Sequence, residues 1–252
     1  MITVYFHGAP GGPGELGLAG PAGGHAIAID RFGLPAGTSA ELVDALVDAL
    51  VERIGGAAAH GPLRFIGFSA GCRWALAVAA RLGARVVRID LIAPLGPFRL
   101  GHYGPRLKGY PLFELARKRP GALRWVLACQ ALLARRAPGL LLRLLLQGSR
   151  GADGALAQDP AFRALVLALL RPALEAEQGR YARELVFASE DWSPVLAEVA
   201  APVRIWHGAQ DDWAAPGMGE ALARQLPNGS ATILGGLSHY SALQRTLPTL
   251  LS

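Results

Sequence analysis

The stretch "LRFIGFSAGCRWALAVAARLG", residues 63–83, decides how this chain is read. Its first six residues form an apolar run; from residue 71 onward the apolar residues recur at helical spacing. Between the two patterns sits Ser69, with a glycine two residues away on each side, Gly67 and Gly71. A strand that turns this abruptly into a helix holds its middle residue in a strained conformation. Side chains at the two flanking positions would strike neighbouring backbone. The pattern therefore predicts Ser69 at the carboxyl end of a strand, pushed into a cleft. The N-terminus of the following helix points at it and favours developing negative charge.

The same alternation extends along the chain. Apolar runs at 2–6, 26–30, 63–68, 86–93, 203–206 and 231–234 read as strands buried on both faces. Helical patterns lie between them: "SAELVDALVDALVERIG" (39–55), residues 71–83, and "APGMGEALARQLPN" (215–228). The first starts at Ser39 with Glu41 and Asp44 in its first turns, and closes on Gly55 and Gly56. Strand, helix, strand alternation implies βαβ units and an α/β fold with a mostly parallel sheet of about six strands. From 98 to 188 only helical runs occur, punctuated by Pro105, Pro111, Pro120, Pro138, Pro160 and Pro172. The expected organisation is a core of residues 1–97 and 189–252, interrupted by a helical insertion at 98–188.

Composition sets the class. Of 252 residues, 52% are hydrophobic and 17% charged, which supplies a packed core and excludes a disordered chain. The opening "MITVYFHG" has neither a basic leader nor a cleavage-like site, and no apolar run is long enough to span a bilayer. Two cysteines, Cys72 and Cys129, make no disulfide framework and no metal-like spacing. The expectation is a cytoplasmic protein without stable membrane insertion. Net charge is +6, unevenly spread: residues 97–190 hold fifteen Lys or Arg against seven Asp or Glu. A basic surface of this kind suits nucleic acid, anionic lipid or an acidic substrate, and equally reads as a solvated, arginine-rich face; no nucleic-acid-binding motif accompanies it.

A serine hydroxyl needs a base, and the usual base is a histidine held by a carboxylate. His239, in "GGLSHYSAL" (235–243), follows the last strand-like run and shares an edge with Ser69. His7 and His207 precede glycines at strand ends and read as loop-holding residues, while His25, His60 and His102 have no supporting context. The carboxylate comes from "VRIWHGAQDDWAAP" (203–216), as Asp211 or Asp212; no acid follows the run ending at residue 93 until Glu114. Two backbone donors complete the set. One is the N–H of Ala70, after the nucleophile. The other comes from "FHGAPGGPGELG" (6–17), where Pro10 has no N–H and Ala9 is the natural donor.

Together, "HGAPGG" (7–12), "GFSAG" (67–71), "HGAQDD" (207–212) and "GLSHYS" (236–241) resemble the α/β-hydrolase superfamily; "AIAIDRFGLPAGTS" (26–39) is similar to its Asp-Arg-x-Gly loop. The resemblance covers nearly the whole chain and puts a helical cap at the insertion. It implies hydrolysis of an ester, amide or similar bond of a small-molecule substrate through an acyl-enzyme, with neither cofactor nor metal. It assigns Ser69, Asp211 and His239 as the triad, and the Ala9 and Ala70 N–H groups as the oxyanion hole. Two departures stand out. Family members normally begin with one or two further strands. The proline of "GAQDDWAAP" also falls one residue late, which keeps Asp212 in play. The "HGAPGGPG" loop is also similar to prolyl aminopeptidases, which carry tryptophan where this chain has Ala70. A catalytically silent binding protein of the same fold is the alternative of another class.

Gly12, Gly14 and Gly17 also spell G-x-G-x-x-G, with Asp30 at the end of the next strand-like run. A dinucleotide fingerprint requires its glycines to open a continuous helix, and the segment that follows, broken by Pro21 and further glycines, forms none. In the insertion Phe98, Tyr103, Tyr110, Phe113 and Trp125 offer an apolar lining, though helix packing demands the same residues. Trp74 and Cys72 read as packing residues of the helix after Ser69.

Overall fold

The computed structural model of the protein describes residues 1–35, 37–55, 61–176 and 178–252. Gly56 of the expected helix stop and His60 lie outside the described residues. Six strands form one sheet: β1 (Ile2–Phe6), β2 (Ala26–Ala28), β3 (Leu63–Phe68), β4 (Val86–Ile92), β5 (Val203–Gly208) and β6 (Gly229–Leu234). Their order is β2-β1-β3-β4-β5-β6, and every neighbouring pair is parallel. β2 ends at Ala28 because Asp30 accepts a hydrogen bond from the Phe32 N–H (3.0 Å) and opens a 3-10 turn over Arg31–Gly33. β6 starts at Gly229, two residues before its apolar run, because it is an edge strand whose Ser230 and Thr232 face solvent.

Side chains alternate across the sheet. Val4, Phe6, Phe65, Ile89, Leu91 and Ile205 face one helical layer. That layer holds α1 (Ser39–Ile54) and α2 (Gly71–Leu82), joined later by α9 (Pro216–Gln225). Thr38, not Ser39, caps α1: its hydroxyl accepts from the Glu41 N–H while Glu41 accepts from the Thr38 N–H, a reciprocal capping box. Tyr5, Ile66, Phe68 and Ile92 face the other layer, formed by α10 (His239–Leu251) and the 3-10 segment Pro13–His25. That segment breaks at Gly20, so the Gly12–Gly17 pattern opens no continuous helix.

Between β4 and β5 the chain is helical: α3 (Tyr110–Lys118), α4 (Pro120–Arg136), α5 (Pro138–Leu146), α6 (Asp153–Leu156), α7 (Pro160–Arg171) and α8 (Gln178–Ser189). The prolines open these helices instead of breaking them. Pro120, Pro138 and Pro160 stand at first helical positions, where a missing N–H costs nothing. Leu123, Leu127, Leu141, Leu142, Phe162, Val166 and Leu170 make a second apolar cluster above the carboxyl ends of the strands, reached from the sheet side by Phe32.

Candidate active site

Ser69 follows β3 directly and has φ +52°, a left-handed conformation that is unusual for a residue with a side chain. The surroundings over-determine it. The Ser69 N–H donates to the Ile92 carbonyl (3.0 Å), and the Ser69 carbonyl accepts from the Cys72 and Leu95 N–H groups (3.2 Å each). A Cβ on Gly67 would lie 2.9 Å from the Cys72 Cα, and one on Gly71 only 2.2 Å from the Phe6 carbonyl oxygen. Both glycines are therefore the residues the tight turn demands. Trp74 and Cys72 are buried in the layer beneath, as packing residues.

The three side chains singled out in the sequence meet at the carboxyl edge of β3, β5 and β6. Ser69 Oγ lies 3.0 Å from His239 Nε2, and His239 Nδ1 lies 2.8 Å from Asp211 Oδ2. His239 is the first residue of α10, and Asp211 sits in the loop after β5. The other Asp211 oxygen accepts from the Trp213 and Ala214 N–H groups (2.8 and 2.9 Å). His207 Nε2 lies 2.8 Å from the Ala214 carbonyl oxygen and 3.3 Å from Asp211 Oδ2, holding that loop together. Asp212 turns away. Its carboxylate pairs with Lys108 Nζ (3.1 Å) and, more loosely, with Arg150 Nε (3.9 Å).

Charge follows this geometry. Burial opposes ionisation of Asp211, but attraction to His239 and hydrogen bonds from His207 and His239 overcome it. The carboxyl is held far below the usual carboxylate range. Burial also opposes the charged form of His239. The Asp211 carboxylate, with Asp153 and Glu15 nearby, outweighs that and raises its pKa above the usual 6.5.

The loop after β1 is fixed from two sides by Glu15 and Arg31, to neither of which sequence reasoning assigned a role. The Gly8 N–H donates to both oxygens of Glu15 (3.1 and 3.0 Å), which also accepts from the Tyr5 hydroxyl (2.7 Å). Burial pushes the Glu15 carboxyl up to about 7, although these hydrogen bonds resist it. Opposite, the Arg31 guanidinium donates to the His7 and Gly8 carbonyls and pairs through Nε with Glu184 of α8 (3.1 Å). Glu184 accepts in turn from the Trp74 indole (3.1 Å). With its carbonyl turned to Arg31, the trans Gly8–Ala9 peptide directs the Ala9 N–H the opposite way. Among the described residues neither the Ala9 nor the Ala70 N–H has an acceptor. The remaining link is Asp153 of α6, whose two oxygens accept from the Tyr240 and Ser241 N–H groups in the first turn of α10 (3.0 and 2.7 Å).

A narrow cavity of about 90 Å³ opens over Ser69 and runs up between the helices. Gly8, Ala9, Ser69 and His239 floor it, and Leu112, Phe113, Leu146, Val166, Leu170 and Leu185 wall it. Of the five aromatic residues considered for this lining only Phe113 reaches it. Phe98 and Tyr110 stack beside it, Tyr103 bonds to the Gly217 carbonyl, and Trp125 is exposed. Gln130, Tyr181, Tyr240 and Trp213 supply the other polar atoms; among the described residues no Lys, Arg, Asp or Glu lines the cavity. Among the described residues no cluster of three His, Cys, Asp or Glu side chains is arranged to hold a metal ion.

No protein-family model and no curated protein matches this sequence. Solved structures do match. A thermophilic esterase from Thermogutta terrifontis superposes with a TM-score of 0.67 at 17% identity, over 99% of this chain and 86% of its own. An enol-lactonase from Burkholderia xenovorans LB400 does so at 0.65 and 18%, over 99% and 90%. A bromoperoxidase from Bacillus anthracis reaches 0.67 at 16%, over 98% and 88%. With its six-stranded parallel sheet, its strand order and these superpositions, the chain is a protein of the α/β-hydrolase fold.

Proposed function

We propose that this protein is a serine hydrolase that cleaves an ester, or amide-like, bond of a small, partly apolar substrate through an acyl-enzyme. The observation that carries the reading is the unbroken line from Ser69 Oγ through His239 to Asp211, at 3.0 and 2.8 Å, on the floor of an apolar cavity. His239 Nε2 takes the Ser69 proton as Oγ attacks the substrate carbonyl, and returns it to the leaving group. Asp211 keeps the ring proton on Nδ1 and stabilises the imidazolium that forms. The Ala9 and Ala70 N–H groups receive the oxyanion, a role worth about 3 kcal/mol for each donor. Water then enters the same cycle and releases the acid.

Several features support an ester in preference to a peptide. An aminopeptidase must meet a protonated amine, and among the described residues no carboxylate lines the cavity to do so. An apolar wall suits an acyl or alcohol group instead. In this reading residues 98–188 act as the cap that shapes the substrate site, over a core of 1–97 and 189–252. The reading places the protein in the cytoplasm, in keeping with two unbridged thiols, Cys72 and Cys129. No described helix is long and apolar enough to cross a membrane.

The test uses a fluorophosphonate probe and a panel of p-nitrophenyl esters. Wild type is expected to label at Ser69 and to turn over short esters. Ser69→Ala is expected to lose both, with turnover falling by at least a thousandfold and an unchanged circular-dichroism spectrum. Folded wild type that neither labels nor turns over esters would make the chain a binding protein on a hydrolase fold.

A further inference from the structure

The exposed large apolar side chains of α4 and α5 form an unusual group. Trp125 is 77% exposed, Leu132 58%, Leu144 54% and Leu140 37%. The opposite faces of these helices supply Leu123, Leu127, Leu141 and Leu142 to the buried cluster, so packing makes no use of the outer face. The charge around them has one sign. Residues 115–152 contain eight Lys or Arg and no Asp or Glu. Some of these cations are occupied elsewhere: Arg117 and Lys118 pair with Glu114, Arg135 with Glu175, and Arg150 with Asp212. Arg124, Arg136 and Arg143 are exposed and have no acidic partner among the described residues.

We propose that the outer face of α4 and α5 docks reversibly on an anionic lipid surface. The composition is that of a helix pair lying in the membrane plane, with indole and leucine side chains at the acyl boundary and arginines on the headgroups. Neither helix spans a bilayer: α4 has 17 residues and α5 has 9. Charge complementarity selects this occupant. A second copy of the chain would set arginine against arginine across the contact. A nucleic-acid backbone would neutralise the arginines and leave Trp125 and the leucines in water. Docking does not depend on the hydrolase reading. If that reading holds, docking has a consequence, because Gln130, Leu145 and Leu146 of the same two helices line the cavity over Ser69. A docked cap would then present the cavity to lipid-borne esters.

The experiment is flotation of the full chain with vesicles of phosphatidylcholine alone, and of phosphatidylcholine with about one part in three of phosphatidylglycerol. An environment-sensitive dye on Cys129, an exposed residue of α4, gives a second readout, since Cys72 is buried. We expect binding at least about tenfold tighter to the anionic vesicles, a blue shift of the dye only with them, and release by high salt. Each arginine near such a surface multiplies binding roughly fivefold, so Arg124→Gln/Arg136→Gln/Arg143→Gln should cost about a hundredfold. Trp125→Ser/Leu132→Ser should weaken binding at least about tenfold. All five side chains point away from the cavity, so turnover of a soluble ester should not change. Absence of binding to anionic vesicles overturns the proposal. So does equal binding to neutral ones, survival of binding in both variants, or a dimer that Trp125→Ser/Leu132→Ser dissolves. Vesicle binding by a chain that fails to label at Ser69 would sink the hydrolase reading and leave the docking surface intact.

Discussion

Replacing Asp211 by asparagine removes one charge and forces a choice of amide orientation. The Trp213 and Ala214 N–H groups point at one carboxylate oxygen from 2.8 and 2.9 Å. Placing the new NH2 there would strand two buried donors, at about 1–3 kcal/mol each. The amide oxygen therefore stays with the backbone, and the NH2 faces His239 Nδ1, where the carboxylate oxygen had stood at 2.8 Å. A donor at that position turns Nδ1 into an acceptor and moves the ring proton to Nε2. Nε2 is the atom 3.0 Å from Ser69 Oγ, and once protonated it cannot receive the serine proton. Wrong-tautomer substitutions of this kind cost about 10⁴ in kcat, or about 5.5 kcal/mol at 1.36 kcal/mol per factor of ten. Asp212→Asn is the matched control. It weakens the contacts to Lys108 and Arg150 and touches no histidine, so activity should stay within about tenfold of wild type. The assay is kcat/KM on a short p-nitrophenyl ester, with circular dichroism to establish folding. A folded Asp211→Asn protein that loses less than tenfold, or an Asp212→Asn protein that loses more than its neighbour, would refute the tautomer argument and move the orienting acid to Asp212.

Gly71→Ala should destabilise the fold by about 1–3 kcal/mol or prevent soluble expression, because its Cβ meets the Phe6 and His7 carbonyl oxygens at 2.2 and 2.3 Å. Gly121→Ala, with open space around it, should leave Tm unchanged. The pH profile has a defined sign: His239 must be neutral to accept a proton, and its pKa is raised above 6.5. Activity should therefore be present at alkaline pH and fall as pH drops through a midpoint above 6.5, a midpoint that moves down in any residual activity of Asp211→Asn. Glu15 titrates near 7 and should add a second inflection, which Glu15→Gln removes while the His239 limb remains.

How much of this was readable in the chain depended on the range of the physics involved. The turn at Ser69 is a local steric matter, so Gly67 and Gly71 announce it. The β-strands were visible because parallel strands buried on both faces are apolar throughout, and the ends missed were those where polar chemistry takes over. Asp30 leaves β2 to start a turn, and β6 tolerates Ser230 and Thr232 at an exposed edge. Asp211 and Asp212 are adjacent and of the same type; only the fold separates the one facing His239 from the one facing Lys108. Glu184 and Asp153 were invisible for a different reason, and Arg31 stood in the Asp-Arg-x-Gly resemblance with nothing to mark its partner. Each acts on a residue far away in the chain, and a lone acid or arginine in a helical or loop pattern carries no mark of a partner 88 or 153 positions off. Trp125 shows the reverse error: its aromatic ring suggested a lining, while its place on α4 turns it to solvent.

Glu184 and Asp153 also constrain how the cavity over Ser69 can open. Both belong to the helices between β4 and β5, and both are buried against groups of the sheet side. Glu184 neutralises Arg31, which orients the loop carrying Ala9, and satisfies the indole of Trp74. Asp153 satisfies two N–H groups that the start of α10 leaves without intrahelical partners, next to His239 itself. Swinging these helices away as one body would unpair the buried Arg31, at several kcal/mol. It would also strand three buried donors, at about 1–3 kcal/mol each. Such a motion would dismantle the loop and the histidine that the proposed chemistry needs. The cheaper route is displacement of α4 and α5. They hold their place through apolar contacts within the second cluster and through polar contacts of α4 to Glu175 and Arg171 of the same segment, and among the described residues they line the cavity without bonding to its floor. Under the proposed hydrolase reading, substrate entry and the rigidity of Ser69, His239 and Asp211 thereby fall to different helices of the same segment, and α4 and α5 are the two that present Trp125 and the arginines without an acidic partner among the described residues to the outside.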